Sequence, residues 1–456
     1  MHKKTVFITS FHTLISRNII RTPIVTELIR NGSKIVILVP LSKLGYFEKE
    51  FTSPSIIVEG VEIGASIRTK RVGMLKRLAE ALPNTRRAAM GRRLTFSGTR
   101  KYALYYYFFY LPAGVLGKSI FMMRLIRKLD YWMSPRGRFY PLLEKYKPDL
   151  VFSTDVQNEH DVALMQDAWK KKFKIIGMVR SWDNLTTRAF RFLPERLIVH
   201  NELIKDQAVS LYGVEPRTVT VTGIPHYDRY LEGPSVDRET FFKKAGLDPA
   251  KKTILFFPLC DYRVVRSATG KGDVYTDRMA LEALASIDGN VIVRLPPNET
   301  VTIEGFKKPK NFFFDQPGVA FGKEYITTRE LTAEDDTHLI DELSYANVAV
   351  CGPSTVAIDV AIFDRPIIFL NFNRGEGSIG QIWEYGADHI INVLKTGGTK
   401  MADNTDKLKE LITLYFREPG RDREGRTRIV LEQCGVLDGK ASARVVSVLM
   451  ETLSIV

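Results

Sequence analysis

Residues 351–372 read CGPSTVAIDVAIFDRPIIFLNF and hold the clearest chemical pattern in the chain. A buried strand runs out at Cys351, Gly352 and Pro353 turn the backbone, and Ser354 and Thr355 stand at the start of a helix. Hydroxyl N-caps beside free N–H groups at a helix N-terminus make an end suited to phosphate. Asp359 falls one turn later on the same face, within reach of ribose or sugar hydroxyls. The plainer alternative is an ordinary capped helix with a buried acid-to-hydroxyl contact. Arg294 ends a strand at 290–294, and with Ser354 and Thr355 it is a candidate to meet a phosphate. Lys271, in the loop ATGKGD (268–273), is a further candidate; the alternative is a flexible surface loop. The loop lacks phosphate-loop spacing, which sets aside an ATPase of that type. No Asp-x-Asp pair occurs.

Chemistry that deprotonates a hydroxyl would need a base. His12 follows the first strand in FITSFHT and has a suitable ordinary pKa; a capping or packing role is its alternative. Asp155 ends VFSTD, where a carboxylate is either a base or the N-cap of the next helix. SWDNLTTR (181–188) offers Trp182 to stack on substrate, Asp183 and Asn184 for polar contacts, and Arg188 for a phosphate. His12, Asp155 and Asp183 are the candidates for catalysis.

These residues need a scaffold, and the spacing predicts one. At 456 residues, two domains are expected. Residues 5–9 read as a strand and not as the start of a signal peptide, 16–30 as an amphipathic helix ended by Asn31-Gly32, and 34–39 as a second strand. Continuous apolar strands alternating with helices predict an α/β fold with parallel sheets. The same alternation restarts after Gly223-Ile224-Pro225. The predicted domains are 1–228 and 236–438, with a helix at the end (439–456) free to pack across their interface and the chemistry in the cleft between them, at the carboxyl ends of the strands. Three cysteines, far apart and odd in number, argue against a disulfide framework or zinc site and fit a reducing compartment.

The net charge of +14 is concentrated. Residues 66–138 hold 17 basic and two acidic residues, a surplus of fifteen, so the rest of the chain is near neutral. Within this run lies YALYYYFFYLPAGVLG (102–117). Aromatic residues flanked by Arg and Lys suit a bilayer interface, and Arg92, Arg93, Tyr105, Tyr106, Phe108 and Phe109 are the candidate contacts. A buried aromatic helix beside a basic surface, or a polyanion site, are the alternatives. No run of about 20 uncharged apolar residues exists to span a membrane.

Residues 351–372 resemble the C-terminal motif of GT-B transferases, and more narrowly the group of CDP-glycerol glycerophosphotransferases, nucleotide-sugar glycosyltransferases and UDP-GlcNAc 2-epimerases. HLIDELSYANVAV (338–350) is similar to the helix and strand leading into that motif, and TVTGIPHYDRY (220–230) to the Gly-x-Pro segment at the domain linker, which brings in Gly223. NVIVRLPPN (290–298) resembles the strand ending in Arg-x-His-Pro; Arg294 matches, and the His is absent. His12 stands where several inverting GT-B enzymes carry a His. The resemblance implies two Rossmann-like domains facing each other across a cleft, with metal-independent transfer from a UDP- or CDP/CMP-linked donor. With the basic segment, it implies a glycosyltransferase of cell-surface glycan assembly, peripheral on the cytoplasmic face of the membrane, acting on a lipid-linked or glycan acceptor and not on nucleic acid. Glycerophosphate transfer, 2-epimerisation and non-enzymatic polyanion binding are the alternatives.

Overall fold

Seven strands of the first half pair side by side, all parallel. They are β1 (Thr5–Thr9), β2 (Lys34–Pro40), β3 (Ile56–Val61), β4 (Leu150–Ser153), β5 (Lys174–Met178), β6 (Arg196–Val199) and β7 (Val219–Val221), in the order β3-β2-β1-β4-β5-β6-β7. Val6 faces both Ile35 and Leu150, so β1 is central and the chain direction of the winding reverses between β1 and β4. The interior strands are apolar almost throughout because helices cover both sheet faces. The second half repeats the plan with β8 (Thr253–Phe256), β9 (Asn290–Arg294), β10 (Phe312–Asp315), β11 (Val348–Cys351), β12 (Ile367–Leu370) and β13 (Thr399–Ala402), in the order β10-β9-β8-β11-β12-β13. The computed structural model describes residues 3–63, 69–94, 104–260, 276–301, 303, 305–321, 329–372 and 382–454.

The chain forms two units, Met1–Asp228 with Gly435–Val456, and Arg229–Cys434. The last helix, Ala441–Ser454, thus belongs to the first unit: Val445, Val448 and Leu449 share one buried core with Ile24 and Leu28 of helix Pro23–Arg30 and with Ile35 and Ile37 of β2. Gly223 (φ +85) makes room for this return, since a Cβ there would lie 3.1 Å from that of Ala441. The single helix expected over 16–30 is divided. A π-helical turn at Ser16–Ile20 ends at Arg21, and Thr22 caps a new helix that begins with Pro23. Proline has no N–H to extend the preceding turn and suits a first helical position.

The basic segment folds into Lys70–Ala81, Arg86–Leu94, a π-helical turn Tyr106–Tyr110 running into Leu111–Leu116, and Ile120–Met133. Among the described residues no single helix is long and apolar enough to cross a membrane; Tyr106–Leu116 and Ile120–Met133 together have the apolar length, but they meet at 115°. Gly117 permits that bend, because its ideal Cβ position lies 1.6 Å from the Leu82 carbonyl oxygen. Arg92 differs from the interfacial role expected of it. Its guanidinium donates to the carbonyls of Ala81 (2.7 Å) and Pro83 (3.0 Å), tying two helices together. Arg93, Tyr105 and Phe108 are exposed, while Tyr106 and Phe109 are half-buried, with Phe109 stacked on Tyr105. Cys260, Cys351 and Cys434 are buried and in no disulfide.

Candidate functional site

Parallel strands send their carboxyl ends to one edge of a sheet, and the first unit gathers its polar residues there. His12 follows β1, Asp155 follows β4 and Arg180 follows β5. Arg180 Nη1 lies 2.8 Å from Asp155 Oδ2. Asp155 Oδ1 accepts from the Gln157 amide, and the helix cap falls instead to Asn158, which accepts from the His160 amide. Asp155 is therefore an ion-paired carboxylate, not a cap. His12 Nδ1 accepts from the Leu14 amide at 3.2 Å. Burial, then the charges of Arg180, Lys43 and Arg188, lower the His12 pKa to about 3, with Asp183 opposing them. His12, Asp155, Asp183 and Arg188 thus share one neighbourhood, with Arg180 and Lys43 as members the sequence reading overlooked. Arg180 was recoverable: it leaves β5 as Asp155 leaves β4.

The SWDN segment is less exposed than expected. Trp182 is only 7% exposed and Asn184 is buried, so neither offers a substrate surface. The Asp183 carbonyl accepts from the Thr186 and Thr187 hydroxyls, and the Arg188 carbonyl accepts from Gln157 Nε2, which fixes the loop against β4.

Beneath this cluster lies Asp161, another residue the sequence left unmarked. Its Oδ1 accepts from Thr9 Oγ1 (2.5 Å) and Ser153 Oγ (2.8 Å), while its Oδ2 has no hydrogen-bond partner among the described residues. Burial, then the charge of Asp155, raises its pKa from 3.8 to about 8. The folded state therefore holds a proton that the unfolded chain releases. This contribution to stability is complete below pH 3.8 and diminishes as pH rises toward 8. Asp161→Asn keeps an acceptor for both hydroxyls. Its melting temperature relative to the wild type is expected to improve between about pH 4 and about pH 8 and to level off above that. A difference that is constant across that range would show that Asp161 is ionised in the fold.

In the second unit the predicted donor residues are dispersed among internal contacts. Ser354 is half-buried and Thr355 exposed on the turn after β11, as a ligand site requires, but Thr355 is αR and makes no side-chain cap. The first turn closes on its own carbonyls, Ala357 N to Ser354 O and Ile358 N to Thr355 O. Asp359 is 5% exposed and accepts from the Tyr230 hydroxyl at 2.5 Å, a buried acid-to-hydroxyl contact in place of an open one. Arg294 is also turned inward. Nη1 meets Asp315 Oδ2 (2.6 Å) and Glu342 Oε2 (2.9 Å), and Nη2 donates to the Asp335 carbonyl. Glu342 is fully buried, which lifts its pKa from 4.5 to about 7 against the opposing pull of Arg294. Lys271 lies outside the described residues. Gly223 is in the first unit, its amide bonded to the His200 carbonyl, and serves the turn beneath the last helix.

Two doubly wound parallel sheets in separate units, with the last helix returned to the first, define a protein of the GT-B class. Solved structures of that class cover nearly the whole chain. The UDP-GlcNAc 2-epimerase of Methanocaldococcus jannaschii is 15% identical, with 99% of this chain and 100% of that one covered at a TM-score of 0.53. The S. aureus MnaA–UDP structure is 13% identical (99% and 98% covered, TM-score 0.55), and the calicheamicin glycosyltransferase CalG4 10% identical (100% and 100%, TM-score 0.51). No curated protein matches by sequence. The chain belongs to the CDP-glycerol:poly(glycerophosphate) glycerophosphotransferase family, whose model matches residues 178–451. It is a transferase enzyme.

Proposed function

We propose that the chain transfers a glycerophosphate unit from a CDP-activated donor to a hydroxyl of a lipid-linked or polymeric acceptor, at the cytoplasmic face of a membrane. The family match over residues 178–451 carries this reading. In the step, the acceptor oxygen bonds to the glycerol-bearing phosphorus, the bond between the two phosphates breaks, CMP leaves, and the hydroxyl proton passes to a base. Lys43, Arg180 and Arg188 supply positive charge for an anionic reactant, and the family resemblance with the missing Asp-x-Asp motif favours protein cations over a bound metal.

Sugar transfer from a nucleotide sugar is the second reading. It draws on the fold shared with the calicheamicin glycosyltransferase CalG4 and with MnaA solved with UDP.

Thermal shift separates the two. CDP-glycerol at about 100 times its dissociation constant should stabilise the protein by about 2.7 kcal/mol, a shift of several degrees. Stabilisation by UDP-sugars with none by CDP-glycerol selects sugar transfer. No response to any nucleotide defeats both readings.

A further inference from the structure

Helix Ile120–Met133 presents three distinct stripes. Met123 and Asp130 are buried. Phe121, Leu125, Leu129 and Trp132 recur at helical spacing along an exposed stripe, with Phe121 72% and Trp132 84% exposed. Beside that stripe, Arg124, Arg127, Lys128 and Tyr131 line a groove of ≈ 770 Å³, with Phe121 and Leu125 at its edge and Trp169 and Phe192 in its other wall.

The groove is positively charged. Its Arg191 is neutralised by Asp130 at 2.8 Å. Arg124, Arg127 and Lys128 have no carboxylate partner among the described residues; Arg124 and Arg127 donate only to the carbonyls of Gly213 (3.1 Å) and Tyr212 (3.2 Å). Burial and the neighbouring Arg124 charge lower the Arg127 pKa to about 10. A guanidinium withdrawn from water beside a second cation is unfavourable until an anion joins it.

We infer that this groove binds the phosphate headgroup of an anionic glycerophospholipid while the Phe121–Trp132 stripe enters the acyl region. The inference rests on the membrane reading above and locates its specific contact. Tyr107, Phe108, Leu111 and Val115 are exposed on the segment bent at 115° to this helix, so two non-collinear elements offer apolar side chains. Cations beside exposed aromatics on such a surface match the layering of headgroup over hydrocarbon. A polynucleotide would satisfy the cations and leave the Phe121, Leu125 and Leu129 stripe in water.

The full chain is tested by flotation with phosphatidylcholine vesicles, with and without phosphatidylglycerol. Three proteins are compared: wild type, Arg124→Gln/Arg127→Gln, and Lys70→Gln/Arg71→Gln, which removes the same charge from the same basic segment away from the groove. Melting temperatures check that each is folded. Binding to phosphatidylglycerol vesicles should fall about tenfold or more in the groove variant, and clearly less in the control variant. Equal losses in the two variants would overturn the groove and leave general membrane attraction standing. Wild-type protein that floats with neither vesicle would defeat the membrane reading itself. A dimer in solution that Phe121→Ser/Trp132→Ser dissociates would assign the face to a second copy and overturn the proposal.

Discussion

Arg294→Ala is expected to lower the stability of the protein by about 3–5 kcal/mol, the cost of leaving a buried ionic cluster without its cation. The size follows from what the guanidinium touches. Glu342 is 0% exposed and Asp315 nearly buried, and both take hydrogen bonds from the same Nη1. The loss should appear as a fall in melting temperature of about 10 °C for a unit of this size. It should also depend on pH. Glu342 in the folded wild type titrates at about 7, above its ordinary 4.5, so the folded state already favours its proton. Without Arg294 that preference strengthens. The variant is then penalised most above pH 7 and least under acid conditions, where Glu342 is neutral. An Arg294→Ala protein that melts with the wild type and has lost donor affinity would return this residue to the role its strand-end position suggested.

His12→Gln is expected to reduce kcat about a hundredfold with little change in melting temperature, within the range ascribed to general acid–base groups. In the free protein His12 is neutral, with its pKa at about 3 through burial and the surrounding cations. It accepts from the Leu14 amide through Nδ1, which places its own proton on Nε2. Such a ring donates a hydrogen bond well and takes up a proton poorly. An anionic phosphoryl group held by Lys43, Arg180 and Arg188 reverses part of that electrostatic cause and raises the pKa toward the working range. The His12 ring should therefore show no titration above about pH 5 in the free protein, and an upward shift with a donor analogue by NMR. A kcat within about threefold of wild type for His12→Gln would remove His12 from the chemistry.

The interior strands were legible because each is buried on both faces and so is mostly apolar. Thr5–Thr9, Leu150–Ser153 and Asn290–Arg294 stand out for this reason. Phe312–Asp315 and Thr399–Ala402 went unread. They are the two edges of the second sheet, bonded on one side and partly solvated, and a four-residue edge strand needs no continuous apolar run. Segment 66–138 announced its charge and aromatic content. Which of its cations faces outward was not readable, since Arg92 and Arg127 differ only in which carbonyls and charges the fold brings beside them.

By itself the sequence determined the alternation of strand and helix, the restart near residue 230, and the residues that leave each strand at its carboxyl end, among them His12, Asp155 and Arg294. These are local properties: hydrophobic periodicity and chain direction decide them. Only the tertiary structure decided what those side chains meet. Arg294 finds Asp315 and Glu342, 21 and 48 residues on, and Asp359 finds Tyr230, 129 residues back. Helix Ala441–Ser454 returns to the unit that the chain left at Asp228. A strand end fixes where a side chain begins, whereas its partner is set by distant elements packed to exclude water, and no spacing rule within the segment contains that information.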